Sequence, residues 1–137
     1  MRRVTADSNI LISAILRGGK PRDLLNLARS GQIELALSEH ILNETLRVLE
    51  VKFQRSSDQL QQDEAYLRSI SCMVQPSERL NAVAADPTDN PILECAAAAE
   101  SEVVVSGDHH LLDLREFSGM AIMTVAAFLE RFQGRVR

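Results

Sequence analysis

The stretch Glu102-Val103-Val104-Val105-Ser106-Gly107-Asp108 decides the fold class of this chain. Its centre is β-branched and apolar, which is typical of a strand that is covered on both faces of a sheet. Gly107 turns the chain after this strand, and a short helix is predicted from His109 onward. A buried strand that leads directly into a helix is a pattern of α/β proteins.

The same alternation runs through the rest of the sequence. The predicted strands span residues 4–6, 33–37, 72–74, 102–106 and 121–125. The predicted helices span 10–16, 21–31, 39–52, 58–70, 91–99, a short segment from 109, and 126–132, with Ser38 and Ser57 as N-caps of the third and fourth. Strands that alternate with helices predict an α/β fold, in which a central, mostly parallel, twisted sheet carries helices on both faces.

Length and composition indicate an ordinary globular protein. The 137 residues contain no linker and no repeat, so residues 1–137 are predicted to form a single domain. Apolar residues make up 45% and charged residues 25%, which excludes a disordered chain and a coiled coil. No apolar run approaches the roughly 20 residues that cross a bilayer, and Asp7 comes too early for a signal peptide, so we expect a cytoplasmic protein. Cys72 and Cys95 are expected to be a reduced pair rather than a disulfide or a zinc site.

The charges are unevenly distributed along the chain, whose formal net charge is −4. Residues 1–55 hold nine Lys and Arg against six Asp and Glu, whereas residues 56–137 hold six against thirteen. By total charge the protein does not resemble a nucleic-acid binder. A local basic face remains compatible with the sequence, although an ordinary solvated surface is the simpler interpretation for each of its candidates: Arg17, Lys20, Arg22, Arg47, Lys52 and Arg55.

Acidic residues follow or face the strand ends where α/β proteins bind ligands. Asp7 directly follows the first strand, and Asp108 follows the most apolar one. Asp89 precedes the helix that leads to that strand, and Glu44 lies in the second turn of its own helix. Because the carboxyl ends of parallel strands share one edge, these four side chains are expected to converge there. Each Asp taken alone is most simply a helix cap.

A convergence of carboxylates predicts a bound cation, since like charges repel unless they are protonated or neutralised. No Arg or Lys directly follows Asp7, Asp89 or Asp108 in the sequence to neutralise it. Oxygen ligands favour a hard cation, so Mg²⁺ or Mn²⁺ is the expected cofactor. Such an ion polarises a phosphoryl oxygen and lowers the pKa of bound water, which indicates hydrolysis of phosphodiesters without a covalent nucleophile.

Rival chemistries of α/β proteins lack their residues. Gly18-Gly19-Lys20 does not have the spacing of a P-loop, and Asp7-Ser8-Asn9-Ile10 replaces the glycines of a dinucleotide-binding turn. A phosphatase of the haloacid-dehalogenase type, like a receiver domain, would use a late lysine, and a serine hydrolase would need a GxSxG elbow; neither is present. His109 and His110 are interpreted as residues at the rim of the site that meet phosphate. A zinc site there is disfavoured because no Cys or His partner lies at ligand spacing.

Four segments together resemble the PIN-domain family over about residues 3–130. They are Val4-Thr5-Ala6-Asp7-Ser8-Asn9, Glu44, the stretch from Asp86-Pro87-Thr88-Asp89-Asn90-Pro91 to Ala96, and Val103-Val104-Val105-Ser106-Gly107-Asp108-His109-His110-Leu111-Leu112. Any one of these motifs is weak, and their order in series is specific. The resemblance is greatest to the VapC-like toxin ribonucleases of type II toxin–antitoxin modules.

The resemblance implies a three-layer PIN-like fold and Mg²⁺- or Mn²⁺-dependent cleavage of single-stranded RNA. It assigns the metal ligands to Asp7, Glu44, Asp89 and Asp108, with Asn9 and Ser106 as supporting polar residues. It also implies a homodimer that is silenced by an antitoxin protein. His109 stands where relatives often have lysine, and helix phase decides whether Glu44 or Glu39 faces the site.

Two alternatives stay open from the sequence alone. A catalytically silent PIN module would bind RNA or protein without cleavage, although four intact acids argue against it. A DNA-directed flap-type nuclease would share the acids but would need additional helices for duplex, for which 137 residues leave little room. If the nuclease interpretation holds, the phosphate-binding candidates are His109, Arg17 and Lys20, and the site itself binds RNA through its metal and the basic residues of 1–55. His40 is expected on a helix surface.

Overall fold

The protein folds into a six-stranded sheet and its covering helices. The structure, a computed structural model, describes residues 2–76 and 90–136. The elements in chain order are β1 (Arg2–Ala6), α1 (Ser8–Leu16), α2 (Gly19–Arg29), β2 (Ile33–Ser38), α3 (Glu39–Val51), α4 (Ser57–Ile70), β3 (Ser71–Val74), α5 (Asn90–Ala99), β4 (Val103–Val105), α6 (His109–Leu114), β5 (Glu116–Phe117), β6 (Met120–Met123) and α7 (Val125–Val136).

The sheet has the strand order β3-β2-β1-β4-β6-β5. Neighbouring strands pair in parallel from β3 to β6, and β5 alone runs antiparallel to its neighbour β6. The three valines of β4 are buried at the centre of the sheet, as predicted. Helices α2 and α3 pack on β2, and α5 packs across β1, β2 and β4. The predicted α/β fold with a mostly parallel sheet is therefore confirmed.

Side chains that cap helices set most of the element boundaries. Asp7, Ser38 and Asp108 each accept a hydrogen bond from the first turn of the helix that follows. The fourth helix is capped by Ser56 rather than the predicted Ser57, because Ser56 and Gln59 form a reciprocal capping box. Within the described residues, no helix is long and apolar enough to span a bilayer.

The end of the chain departs most from the sequence-based prediction. The last strand was predicted over 121–125, but β6 ends at Met123 and α7 begins at Val125. The hydroxyl of Thr124 accepts a hydrogen bond from the Ala127 amide at 3.1 Å, so the chain turns into the helix there. The two-residue strand β5 was not predicted. It forms a hairpin with β6 through Ser118 and Gly119, whose φ angles of 51° and 84° are those of a type I′ turn.

Candidate active site

Strand pairing brings two of the predicted acids to one edge of the sheet. Strands β1 and β4 are parallel neighbours with Ala6 opposite Val105. Asp7 follows Ala6 directly, and its backbone amide donates to the carbonyl of Val105 at 3.2 Å. Asp108 lies three residues beyond Val105, after the Ser106-Gly107 turn. Both acids therefore lie at the carboxyl ends of adjacent strands, where ligands bind in open α/β sheets.

Asp7 is a buried carboxylate, and the environment disfavours its charge. The residue is 3% exposed. Its Oδ1 accepts from the Ile10 amide at 3.0 Å, and its Oδ2 accepts from the hydroxyl of Ser106. Burial raises the pKa of Asp7, and the charge of Asp108 adds to that rise; the hydrogen bonds from Ser106, Ile10 and Gly107 act in the opposite direction. In the part of the chain that the structure describes, none of the Lys and Arg ion pairs includes Asp7 or Asp108.

Ser106 connects the two acids. The residue is fully buried at the end of β4, and its own amide donates to the Met123 carbonyl of the neighbouring strand at 3.0 Å. Its hydroxyl donates to Asp7 and accepts from the backbone amide of Asp108 at 3.0 Å. One side chain thus orients the Asp7 carboxylate and fixes the backbone from which the Asp108 carboxylate projects.

Asp108 lies half-buried at the start of α6. Its Oδ1 accepts from the His110 amide at 2.7 Å, which is the bond of a helix cap. The simpler interpretation of these residues as caps is therefore correct for Asp7 and Asp108. It does not exclude a second role, because a carboxylate has two oxygens and a cap uses one of them.

Glu44 and Glu39 lie in different environments on α3. The exposed Glu39 receives two hydrogen bonds from the Arg68 guanidinium, at 2.8 and 2.9 Å, and this pairing lowers the pKa of Glu39. Glu44 is half-buried, and five residues at about 100° each place it on another side of the helix. Because Arg68 already neutralises Glu39, Glu44 is the better candidate for a site ligand.

Two other candidates receive less support or none. Asp89 lies outside the described residues, which resume at Asn90 where α5 begins. Asn9 lies on the first turn of α1 with an exposed side chain, whereas its proposed counterpart Ser106 is buried in the site. The sequence analysis did not single out the backbone amide of Gly107, which donates to Asp7. The signal that could have identified this amide is the Ser-Gly-Asp turn.

The basic candidates divide into structural and solvent-exposed residues. Arg22 donates to the carbonyls of Ala14 and Ile15 and so holds the end of α1. Arg55 forms two hydrogen bonds with the buried Asp63, at 3.0 and 2.7 Å. The ion pair with Asp63 removes Arg55 from the predicted basic face, whereas Arg22 stays exposed and its carbonyl partners leave its charge in place. The other four, Arg17, Lys20, Arg47 and Lys52, have exposed side chains.

The donors at this edge fit a hard divalent cation. Asp7 and Asp108 supply carboxylate oxygens, which are the ligands that Mg²⁺ and Mn²⁺ prefer. The burial that raises the pKa of Asp7 leaves an ionised carboxylate without a compensating cationic side chain among the described residues. A bound cation would supply that compensation.

Comparison with known proteins identifies the family. The model of a family described as "PIN domain" matches residues 3–110. The chain belongs to the PIN-domain family. PIN domains are generally nucleases that use divalent metals. A chain of VapBC2 from Rickettsia felis, solved bound to a DNA fragment from their promoter, superposes with a TM-score of 0.64 at 16% identity, over 88% of this chain and 96% of that one. No curated protein matches.

A separate cavity lies at the opposite edge of the sheet. It has a volume of about 620 Å³ and is lined by the starts of β4 and β6, with Arg2, Glu102 and Arg131 among its charged residues. Its lining combines both signs of charge with Met120 and other apolar side chains. Asp7, Glu44 and Asp108 are not among its lining residues, so this cavity and the candidate active site of this PIN domain are different places.

Proposed function

We propose that this PIN domain, as a single unit of residues 1–137, is an endoribonuclease that cleaves single-stranded RNA with Mg²⁺ or Mn²⁺ as its cofactor. One observation carries the proposal: Asp7 is 3% exposed, is joined through Ser106 to Asp108, and has no cationic partner in the described part of the chain. Burying an unpaired carboxylate is unfavourable for folding, so its presence is best explained by a cation that binds there.

The residues of the chain would hold and orient the reacting groups. Asp7 and Asp108, with Glu44 and Asp89, would be the metal ligands, and Ser106 and Asn9 would support them. A bound Mg²⁺ or Mn²⁺ supplies a Lewis acid and acidifies a coordinated water. Two hydrogen bonds fix the Asp7 carboxylate, so its position does not have to be reorganised when RNA arrives.

Exposed basic residues would hold the RNA backbone. Arg17 and Lys20 flank the turn between α1 and α2, and His109 is exposed beside Asp108. Arg17 and Lys20 can neutralise a phosphate and the His109 imidazole can donate to one, and binding through phosphates carries no sequence preference of its own. Aromatic side chains are scarce, with four Phe, one Tyr and no Trp, which argues against binding by extended base stacking.

The fold likeness to a chain of VapBC2 supports a toxin role as a proposal. We propose that the protein acts in the cytoplasm as a homodimeric toxin and that an antitoxin protein covers its site. Expression of the wild-type chain in a bacterial host should arrest growth, whereas Asp7→Asn should not, at equal protein levels. Equal growth of the two strains would contradict the toxin role. Light scattering of the purified chain tests the dimer.

Cleavage is tested with a panel of structured and single-stranded RNAs during titration of Mg²⁺ and Mn²⁺. Asp7→Asn and Asp108→Asn should each lower the cleavage rate by at least about 100-fold, since each removes a charge from the metal site. Glu39→Gln is the matched control, because Glu39 is an acid paired with Arg68 and should not affect the rate. RNA binding without cleavage in either metal would instead identify a catalytically silent module.

A further inference from the structure

Asp108 and the two histidines after it form a compact cluster of metal-binding groups. The carboxylate of Asp108 and the imidazoles of His109 and His110 place ligand atoms within 4.8 Å of one another. The two ring centroids are 4.1 Å apart, with 37° between the ring planes. The sequence spacing disfavoured a metal site here, but consecutive residues at the start of α6 bring three donors together.

The types of donor select a different cation from the one proposed for catalysis. Imidazole nitrogen suits Zn²⁺, Cu²⁺ and Ni²⁺, whereas Mg²⁺ prefers oxygen and keeps several waters. Two imidazoles and one carboxylate are a common protein ligand set for Zn²⁺, with a water in the fourth position. The number and the kind of donor therefore match a cation of the Zn²⁺ type, between hard and soft, at Asp108, His109 and His110.

Small side-chain rotations would complete the coordination. Zinc binds imidazole nitrogen at about 2.0–2.1 Å. Ligand atoms that lie within 4.8 Å of one another would therefore each have to move toward a central ion by on the order of 1 Å. His109 is exposed and His110 half-buried, so their rings can turn between rotamers at low cost. Asp108 provides the fixed point, because its amide donates to Ser106 and its Oδ1 accepts from the His110 amide.

We propose that Asp108, His109 and His110 form a binding site for an imidazole-preferring divalent cation of the Zn²⁺ class, and that its occupation inhibits RNA cleavage. The inhibition rests on the proposed function, because it follows from the sharing of Asp108 between this site and the Mg²⁺ or Mn²⁺ site. The binding itself does not depend on nuclease activity.

Binding is tested by nuclear magnetic resonance of the imidazole nitrogens, since the chain has only three histidines. His40 lies exposed on the first turn of α3 and serves as the internal control. Substoichiometric Zn²⁺ should shift the His109 and His110 nitrogens and leave those of His40 unchanged. Equal shifts of all three rings, or no shift, would overturn the proposal.

The affinity for Zn²⁺ is measured by calorimetry on matched variants. All of them carry Cys72→Ser, which removes the half-buried thiol. His109→Ala and His110→Ala should each weaken binding by at least about tenfold, which is within the range that loss of even an outer-shell partner produces. His40→Ala should bind as the parent does. Unchanged affinity in either variant of the cluster would refute the site.

Inhibition is then measured as the Zn²⁺ concentration that halves the Mg²⁺-supported cleavage rate, with each variant compared with its own zinc-free rate. That concentration should rise by about tenfold in His110→Ala and stay unchanged in His40→Ala. A wild-type chain that binds Zn²⁺ through the cluster and cleaves at full rate would overturn the inhibition. A chain that cleaves no RNA in any metal would refute the proposed function, and with it the inhibition, while the binding experiments still decide the site.

Discussion

Replacement of Asp7 by Asn should stabilise the metal-free protein while it removes cleavage. The wild-type carboxylate is 3% exposed, and burial raises its pKa above the value it has in the unfolded chain. An acid whose folded pKa is raised contributes stability that is present below the unfolded pKa and is lost as the pH rises through the folded pKa. At pH 7, above the unfolded pKa, the buried acid is therefore a net cost to stability, and a neutral amide avoids it.

The size of this effect follows from the contacts that Asn retains. Its Oδ1 still accepts from the Ile10 amide, so the helix cap is kept. Its amide group faces the Ser106 hydroxyl, which must then accept instead of donate, at a cost of about 1 kcal/mol. Leaving a carboxylate buried without a cationic partner costs more than this exchange of hydrogen bonds. We expect a net stabilisation on the order of 1 kcal/mol, or about 3–4 °C in Tm for a chain of 137 residues.

The assay is thermal unfolding in chelator at pH 7 and at pH 4, followed by the same scans in Mg²⁺. The advantage of Asp7→Asn should shrink at pH 4, close to the ordinary pKa of an aspartate, because less of the penalty on the charged form is then present. Mg²⁺ at about 100 times its Kd should raise wild-type stability by about 2.7 kcal/mol and leave the variant unchanged. Asp108→Asn, at a half-buried position, is the matched control and should change metal-free stability by less. A metal-free Asp7→Asn protein that is less stable than wild type by more than 1 kcal/mol would refute the argument, because it would show that the carboxylate serves the fold.

Three further predictions concern groups at and around the site. Ser106→Ala should lower both the free energy of unfolding, by about 1–3 kcal/mol, and the cleavage rate, because the Asp108 amide loses its acceptor and the Asp7 carboxylate loses its donor. Chemical unfolding measures the stability and the RNA assay measures the rate; unchanged stability would contradict the prediction. Arg55→Ala should destabilise the chain by about 3 kcal/mol, because it leaves the carboxylate of Asp63, which is 8% exposed, without its cationic partner. Adding Asp63→Leu to this variant should recover part of the lost stability. A double variant as unstable as Arg55→Ala would argue against the buried charge as the cause. Burial raises the pKa of Cys95 to about 12, so at pH 8 a thiol reagent should label the half-buried Cys72 and reach Cys95 only on unfolding. Mass spectrometry of the labelled peptides measures which cysteine has reacted, and equal labelling of both cysteines would contradict the prediction.

The order of elements could be predicted because it depends on local patterns. The run Val103-Val104-Val105 is buried on both faces, and Ser38 caps α3 as its position before an amphipathic segment indicates. Strand β5 could not be predicted, since two residues give no periodicity and the pairing depends on a turn at Ser118-Gly119. The end of β6 was misplaced because Val125 is a good strand former, while the hydroxyl of Thr124 favours a helix start.

The site was partly predictable for a related reason. The positions of Asp7 and Asp108 after parallel strands were enough to predict a shared edge, because sheet geometry fixes where such strands end. The choice between Glu39 and Glu44 depends on Arg68, which lies 29 residues from Glu39 along the chain and pairs with it only after folding. The loss of Arg55 from the basic face has the same origin, since its partner Asp63 is visible only in three dimensions.

The two interpretations of the site acids, as caps and as metal ligands, are joined by the chemistry of the carboxylate. A helix cap needs one accepting oxygen, and Asn or Ser would supply it without charge. Asp7 meets the Ile10 amide with one oxygen and the Ser106 hydroxyl with the other, yet it is an acid in a buried place that raises its pKa. Capping therefore explains the hydrogen bonds but not the choice of an acid over its amide. The charge is what remains to be explained, and a cation is the partner that makes it favourable.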